Sequence, residues 1–421
     1  MKDILTGVSR ILVGTLFIFS GIIKANDPLG FSYKLEEYWV EFGIAWDWLL
    51  AIGPVLSSFI CIFEIVLGAA ILVVYRFKIA TLLMLLMIGF FTILTFASAV
   101  FGLVKTCGCF GDAFVLTPWQ SFIKDLVLMA FIIILYKYRN EVKSQSNLAK
   151  SSLFVIIPTA IMAYISFNVG WTFPLYFMLI ILVGTYIGSF VSLERAKMIA
   201  VSLSLLGSIY LCYYTIAHLP LKDFRPYAMG KSIPEQMKLP EGAKPDVYDN
   251  VFKYKNLTTG DVEEFNESSY PWDDENYEFV DRVTTLIEKG DAAKITDFSI
   301  VDETGYDLTE DVLYDPDPIL MIICYNIGLA TTDETSELVE LVESCKMDGM
   351  TVMGLSASDD QLIKAYLEKT GLDFDFFATD EITLKTMVRS NPGIILLKEG
   401  IILDKWHIND VPSYVGLQRK L

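Results

Sequence analysis

The chain has 421 residues, is 53% hydrophobic and carries a formal net charge of −18. The apolar fraction is above the usual globular range, and charge is unevenly spread: 14 Lys/Arg against 11 Asp/Glu through Ala217, then 19 against 40 from His218 onward. An apolar, slightly basic half followed by a strongly acidic half implies a membrane domain joined to a soluble one; the acidic half excludes nucleic acid as a partner, because phosphate binding needs cationic surface.

A bilayer core takes about 20 apolar residues of helix. Seven segments fit: Ile4–Ile23, Leu49–Val74, Ile79–Val104, Ser121–Tyr136, Leu153–Asn168, Phe173–Val191 and Met198–Ala217. The first is followed by Lys24-Ala25-Asn26-Asp27-Pro28 and not by a small-x-small cleavage site, so it is expected to be an anchor. Cations orient the set. With the N-terminus cytoplasmic, the inner ends hold Lys2, Arg10, Arg76, Lys78, Lys137, Arg139, Lys143, Lys150, Arg195 and Lys197. The outer loops are acidic, with Asp27, Glu36, Glu37, Glu41, Asp47 and Asp112 against Lys24, Lys34 and Lys105. An odd number of spans then puts the acidic C-terminal half outside, which in a bacterium is the periplasmic face of the inner membrane.

Lys24–Trp48, between the first two spans, is rich in aromatic residues that favour the headgroup level. It is expected to form a helix or re-entrant turn on the outer face. Glu64 lies in the middle of the second span. A carboxylate at that depth is costly and faces a partner or a cavity; Arg10, Lys24 and Lys124 are the candidate partners.

After the third span comes Lys105-Thr106-Cys107-Gly108-Cys109-Phe110-Gly111-Asp112. Two thiols one residue apart can close a small, strained ring that reduces easily and exchanges. Gly108 permits unusual φ, and Lys105 favours thiolate. An oxidising outer compartment allows the bridge. Three readings stay open here: a redox pair, a static loop bridge, and a metal site, the last lacking neighbouring Cys or His ligands. Lys124 and Asp125 open the fourth span and read as interfacial. Cys61 and Cys212 fall inside spans and read as small apolar residues.

The first span, with Arg10, Gly14, Phe17, Ser20, Gly21 and Lys24 in register, resembles the opening signature of the DoxX superfamily, and Glu64 is similar to an acidic residue there. The Cys107–Asp112 loop resembles the MauE branch, the methylamine-utilisation membrane proteins. The resemblance covers about the first 140 residues. It implies a four-helix membrane bundle, related in style to membrane thiol oxidoreductases and associated with periplasmic disulfide processing. The expected organisation is a DoxX/MauE-like bundle over 1–140, additional transmembrane helices over 141–217, a tether and β-hairpin region over 218–314, and an α/β domain over 315–421.

Pro220 and Pro226 end the last helix and mark the tether. Val251–Phe265 reads as a hairpin across Thr259-Gly260, Tyr270–Glu275 as a loop, and Phe298–Val301 with Glu303-Thr304-Gly305 as a second hairpin. Pro318–Tyr325 is a buried strand. Thr332–Lys346, Asp359–Lys369 and Ile382–Val388 are helices, Thr351–Leu355 and Phe374–Ala378 strands, and Ile394–Leu397 with Ile401–Trp406 a closing hairpin. This alternation implies an α/β sandwich. Over about the last 120 residues the order resembles the thioredoxin superfamily, with Pro392 where that family carries its cis-proline. The family's Cys-x-x-Cys is replaced by Cys324-Tyr325-Asn326-Ile327, so the resemblance implies a binding or scaffolding fold. A long-range bridge between Cys324 and Cys345 stays open, and His407 reads as structural.

The leading expectation is an integral inner-membrane thiol–disulfide exchange protein acting on a periplasmic thiol protein through Cys107 and Cys109. The alternative is a non-enzymatic scaffolding subunit of a cell-envelope complex. A quinone or small lipid near Glu64 and the aromatic loop is a third reading, without a cofactor motif to carry it.

Overall fold

The computed structural model describes residues 2–104, 108, 110–142, 148–189, 192–245, 247–267, 269–288, 290–333 and 335–421. Its membrane half consists of α1 (Lys2–Asn26), α2 (Pro28–Glu41), the short α3 (Asp47–Ala51), α4 (Gly53–Val73), α5 (Phe77–Phe101), α6 (Pro118–Lys137), α7 (Leu148–Val169), α8 (Phe173–Ser189) and α9 (Leu193–Ala217). All seven expected spans are helical. Five of these helices, α1, α4, α5, α6 and α9, are long and apolar enough to cross a bilayer; α8 and the apolar part of α7 are shorter. The second span starts at Gly53 and not at Leu49, because Pro54 sits in the first turn, where its missing N–H and fixed φ suit a helix start.

The α1–α4 contact is the axis of the bundle. A Cβ on Gly14 would lie 2.9 Å from the Gly68 carbonyl oxygen, one on Gly68 2.8 Å from that of Gly14, and one on Gly21 2.5 Å from the Ile65 side chain. Such close approach of backbones is how small residues pack membrane helices. On one side of this axis α5 and α6 complete a four-helix core of Val13, Phe17, Ile71, Met84, Ile132 and Leu135. On the other, Phe19, Ile22, Ile65, Met162, Met178 and Cys212 join α1 and α4 to α7, α8 and α9. Leu86, Phe90, Ile93, Ile180 and Leu206 point outward and exposed, as lipid-facing residues do. The aromatic loop is the helix α2, with Asp27 as N-cap and Pro28 in its first turn.

The tether is a built joint. Asn26 Nδ2 donates to the Lys222 carbonyl at 2.7 Å, and Lys222 N–H returns a bond to Asn26 Oδ1 at 3.1 Å. Phe224 packs into the membrane core, its ring 6.0 Å from that of Trp171. Asp223 points the other way, accepting from Arg225 Nε at 2.8 Å and Nη2 at 2.9 Å and from Lys405 Nζ at 2.5 Å. Arg225 Nη1 and Lys405 Nζ also donate to the carbonyls of Thr386 and Met387. Burial raises the Asp223 pKa, but the two cations outweigh it and hold the carboxyl below its ordinary range. Burial and Arg225 push Lys405 down to about 8, against the pull of Asp223.

After α10 (Ile233–Gln236), strands β1 (Val247–Asn256), β2 (Val262–Phe265) and β3 (Tyr277–Glu288) form an antiparallel sheet in the order β2-β1-β3. The β1–β2 hairpin is the expected one, and β3 was not anticipated. The second expected hairpin is a minimal one, its arms joined by Leu308 N–H to the Ile300 carbonyl at 2.8 Å and Asp302 N–H to the Tyr306 carbonyl at 3.0 Å. Val301 makes only isolated bridges to Asp307 and Ala378, and Asp302 organises the turn by accepting from the N–H groups of Thr304 and Tyr306.

After α11 (Thr309–Leu313), the last domain runs β4 (Ile319–Cys324), α12 (Ser336–Met347), β5 (Thr351–Ser356), α13 (Asp360–Thr370), β6 (Phe376–Ala378), α14 (Glu381–Met387), β7 (Gly393–Lys398), β8 (Ile401–His407) and α15 (Tyr414–Gln418). Its sheet order is β6-β5-β4-β7-β8, with β4 parallel to β5 and antiparallel to β7. This is the expected thioredoxin-like arrangement, and the Asn391–Pro392 peptide is cis. β4 is buried at every residue. Cys324 and Cys345 are both free thiols in the core.

Two outcomes follow. Asp223→Ala leaves Arg225 and Lys405 buried without their carboxylate and should cost about 3–5 kcal/mol, read as an earlier unfolding transition of the full chain in detergent. His407 Nδ1 accepts the Asn409 N–H at 3.1 Å. Burial, reinforced by His218 and opposed by Asp410, lowers its pKa to about 4. The unfolded chain therefore binds more protons than the folded one between about 4 and the ordinary 6.5. Stability should fall as pH drops through that window, and His407→Gln should flatten the decline in thermal melts.

Candidate functional site

The C-terminal domain sits through α2 on the end of the bundle where α1 ends. Asp27 accepts the Gly30 N–H at 2.8 Å, the N-cap bond that starts α2, and its two oxygens receive Arg389 Nε at 3.0 and 2.9 Å. Gly30 is required: a Cβ there would lie 2.4 Å from Asp27 Oδ2 and 2.7 Å from Arg389 Nη2. Lys385 lies 4.9 Å from the centre of the Tyr33 ring and 5.6 Å from that of Tyr325. Tyr33 and Tyr325 share a side-chain hydrogen bond, and burial followed by Tyr325 pushes the Tyr33 hydroxyl well above its ordinary value. His218 Nδ1 meets Asp410 at 2.8 Å, and Asn409 Nδ2 donates to the Ala217 carbonyl at 2.8 Å. The end of β4, where thioredoxins carry their dithiol by the resemblance above, is thus packed against a membrane-surface helix.

Between the two bodies lies a cavity of about 720 Å³. Its floor includes Lys34, Gly108, Gly111 and Asp112; its roof includes Arg225, Lys385 and Arg389. Cys107 and Cys109, with Lys105, lie outside the described residues. Gly108, between the two thiols in sequence, has φ +60°, and a Cβ on it would come within 3.2 Å of Lys34 Cγ. The positive φ favours glycine. Burial, then the Asp27 carboxylate, raises the Asp112 pKa, against Arg389, Arg225 and Lys34. Among the described residues no group of three or more His, Cys, Asp or Glu side chains could hold a metal ion.

Glu64 takes one of its three candidate partners. Lys24 Nζ donates to Glu64 Oε2 at 2.6 Å, with both side chains about 5% exposed or less, and sits 4.8 Å from the centre of the Phe91 ring. Arg10 is 14 residues from Lys24 on the same helix, about 21 Å away, and serves a different place. Lys124 pairs with Asp125 at 2.5 Å. Asp125 is not interfacial: it is 1% exposed and accepts from Thr95 Oγ1 at 3.1 Å. Ser20, Lys24, Tyr38, Glu64, Asp125 and Phe110 enclose a space of about 40 Å³ below the thiol loop, which has room for one or two waters. Phe110 lies 6.0 Å from Phe19 and is capped by Lys124 at 5.3 Å.

In the soluble domain, burial pushes the Cys324 thiol up to about 12 and Cys345 up to about 11, so neither is poised as a thiolate near neutral pH. Asn391, before the cis-proline, donates its amide to the Asn326 carbonyl at 2.7 Å, and its carbonyl accepts from Thr331. Asn391 therefore ties down the loop after β4 at both of its ends. The sequence places Asp27 among the loop acids and offers no signal that Arg389 or Lys385 would meet it.

The Lys24–Glu64 pair gives a direct expectation. Glu64→Gln should destabilise the bundle by about 3–5 kcal/mol, because Lys24 stays buried without a counter-charge. The double change Lys24→Met with Glu64→Leu should recover much of that loss, measured as the detergent-solubilised melting temperature.

Residues 2–138 match the family model of the methylamine utilisation protein MauE. Residues 248–289, which span the three-stranded sheet, match a domain of unknown function, DUF8463. The chain is 27% identical over 143 residues to a protein named TlpB from Flavobacterium psychrophilum, an overlap of 33% of this chain and 38% of that one. The chain thus spans well under half the length of this curated relative. No solved structure matches. The MauE match thus covers α1–α6, a membrane-helix module similar to that family, and a thioredoxin-like α/β domain follows it in the chain.

Proposed function

We propose that the protein exchanges disulfides with a thiol protein at the outer face of the bacterial inner membrane, through Cys107 and Cys109. The observation that carries this reading is the position of Gly108, the residue between the two thiols, on the floor of the cavity roofed by the soluble domain. In the exchange, one thiolate attacks a client disulfide sulfur and forms a mixed disulfide; the second thiol resolves it. The client gains two electrons and two protons, and the Cys107–Cys109 bond forms; the reverse reaction oxidises a client dithiol. Lys34, packed beside Gly108, and Lys105 bring positive charge that favours thiolate. The soluble domain acts as a roof and docking wall, since Cys324 is buried and the end of β4 is occupied by Tyr33. The orientation, with the N-terminus cytoplasmic, rests on the cation asymmetry of the loops.

A second reading has its own support. The occupied β4 end and the three helices beyond the four-helix unit suit a scaffolding subunit of an envelope complex. Purification in mild detergent would then retain a stable partner, and a lone monodisperse chain counts against it.

Thiol trapping with an alkylating mass tag separates the two. Exchange requires that Cys107 and Cys109 shift together between reduced and oxidised forms, and that Cys107→Ser or Cys109→Ser accumulates a mixed disulfide with a client. If the double serine variant leaves client redox state unchanged, exchange is wrong.

A further inference from the structure

The end of the bundle away from the soluble domain holds two buried cations that the exchange chemistry does not use. Arg10, eight residues into α1 and so about 12 Å from its start, is 6% exposed, and its Nε has no hydrogen-bond partner among the described residues. Its guanidinium lies on the Phe154 ring at 3.6 Å, which offsets part of the cost of burial without satisfying the N–H. Lys197, in the second turn of α9, is 7% exposed and bonds Glu194 at 2.8 Å, a carboxylate that is itself 77% exposed.

Both cations line one cavity of about 100 Å³ at the seam between the four-helix module and α7–α9. Its other walls are apolar apart from Thr185, whose hydroxyl donates to the Ile181 carbonyl, with Leu72, Met178, Ile181 and Leu182 among them, and no carboxylate lines it among the described residues. Two positive groups in an apolar pocket want an anion, and an unpaired buried donor wants an acceptor. The apolar walls favour an anion that carries hydrocarbon over a hydrated free one. Basic pockets between membrane helices take lipid phosphates on these terms.

We propose that Arg10 and Lys197 bind the phosphate of an anionic phospholipid in the leaflet opposite the soluble domain, with its acyl chains along α8. The lipid then bridges the MauE-like module and the three added helices, which meet the module elsewhere mainly through apolar contacts.

The test uses the full chain, delipidated in mild detergent and followed by native mass spectrometry. Phosphatidylglycerol, phosphatidylcholine and inorganic phosphate are titrated separately. The wild type should prefer phosphatidylglycerol. Arg10→Gln and Lys197→Gln should each weaken that binding about fivefold, and Arg10→Lys should retain most of it. Lys197 pairs at the protein surface, so its variant keeps the test open if Arg10→Gln fails to fold. Equal binding of both lipids, or unchanged selectivity in Lys197→Gln, would overturn the proposal. Displacement of phosphatidylglycerol by millimolar inorganic phosphate would overturn the lipid assignment in favour of a free-anion site.

Discussion

Two adjacent residues at the C-terminal end of α1 hold the molecule together. Asn26 clasps the backbone of Lys222, and Asp27 both starts α2 and receives Arg389. Without the first, the tether has no fixed exit from the bundle; without the second, α2 loses its cap and the soluble domain its seat. The cavity above Gly108 exists because these contacts set the spacing of its floor and roof. The tether repeats the arrangement on a smaller scale: Phe224 faces the membrane core while Asp223 and Arg225 face the soluble one. A joint in which neighbouring residues serve opposite bodies leaves little freedom for a hinge.

The buried charges divide into two kinds. Lys24–Glu64 and Asp223 with its two cations are closed sets in which each charge has a geometric partner. Arg10 is open, with a stacked ring but no acceptor. Closed sets add more to the choice of one arrangement than to stability, since desolvation consumes much of the Coulombic gain. For Lys24 that arrangement is the register of α1 against α4, which the glycine contacts also require.

Features set by local pattern were legible in the sequence. Apolar runs located all seven helices, five of them long and apolar enough to cross a bilayer, and strand–helix alternation with Pro392 located the thioredoxin-like domain. β3 escaped because most of its side chains are polar or exposed, so no apolar alternation marks it. The docking seam escaped for another reason. Asp27, Lys385 and Arg389 are charged residues in unremarkable surroundings, and only the fold shows that they meet. Arg10 was a candidate partner of Glu64, but its place 14 residues before Lys24 on α1 keeps it from that carboxylate. The glycines of the first span were read as a family signature. Their physical role is backbone contact with α4.

The Asp27–Arg389 bond joins residues 362 positions apart. At about 5–20 residues per second, roughly 20–70 s of synthesis separates the two partners. During that interval α2 has its N-cap but no roof, and the loop carrying Cys107 and Cys109 has already left the ribosome. Newly made protein therefore passes through a stage in which the thiol loop lacks its cover. The segment at and just after α14, which carries Lys385 and Arg389, is translated near the end and supplies part of the roof over the Gly108 cavity.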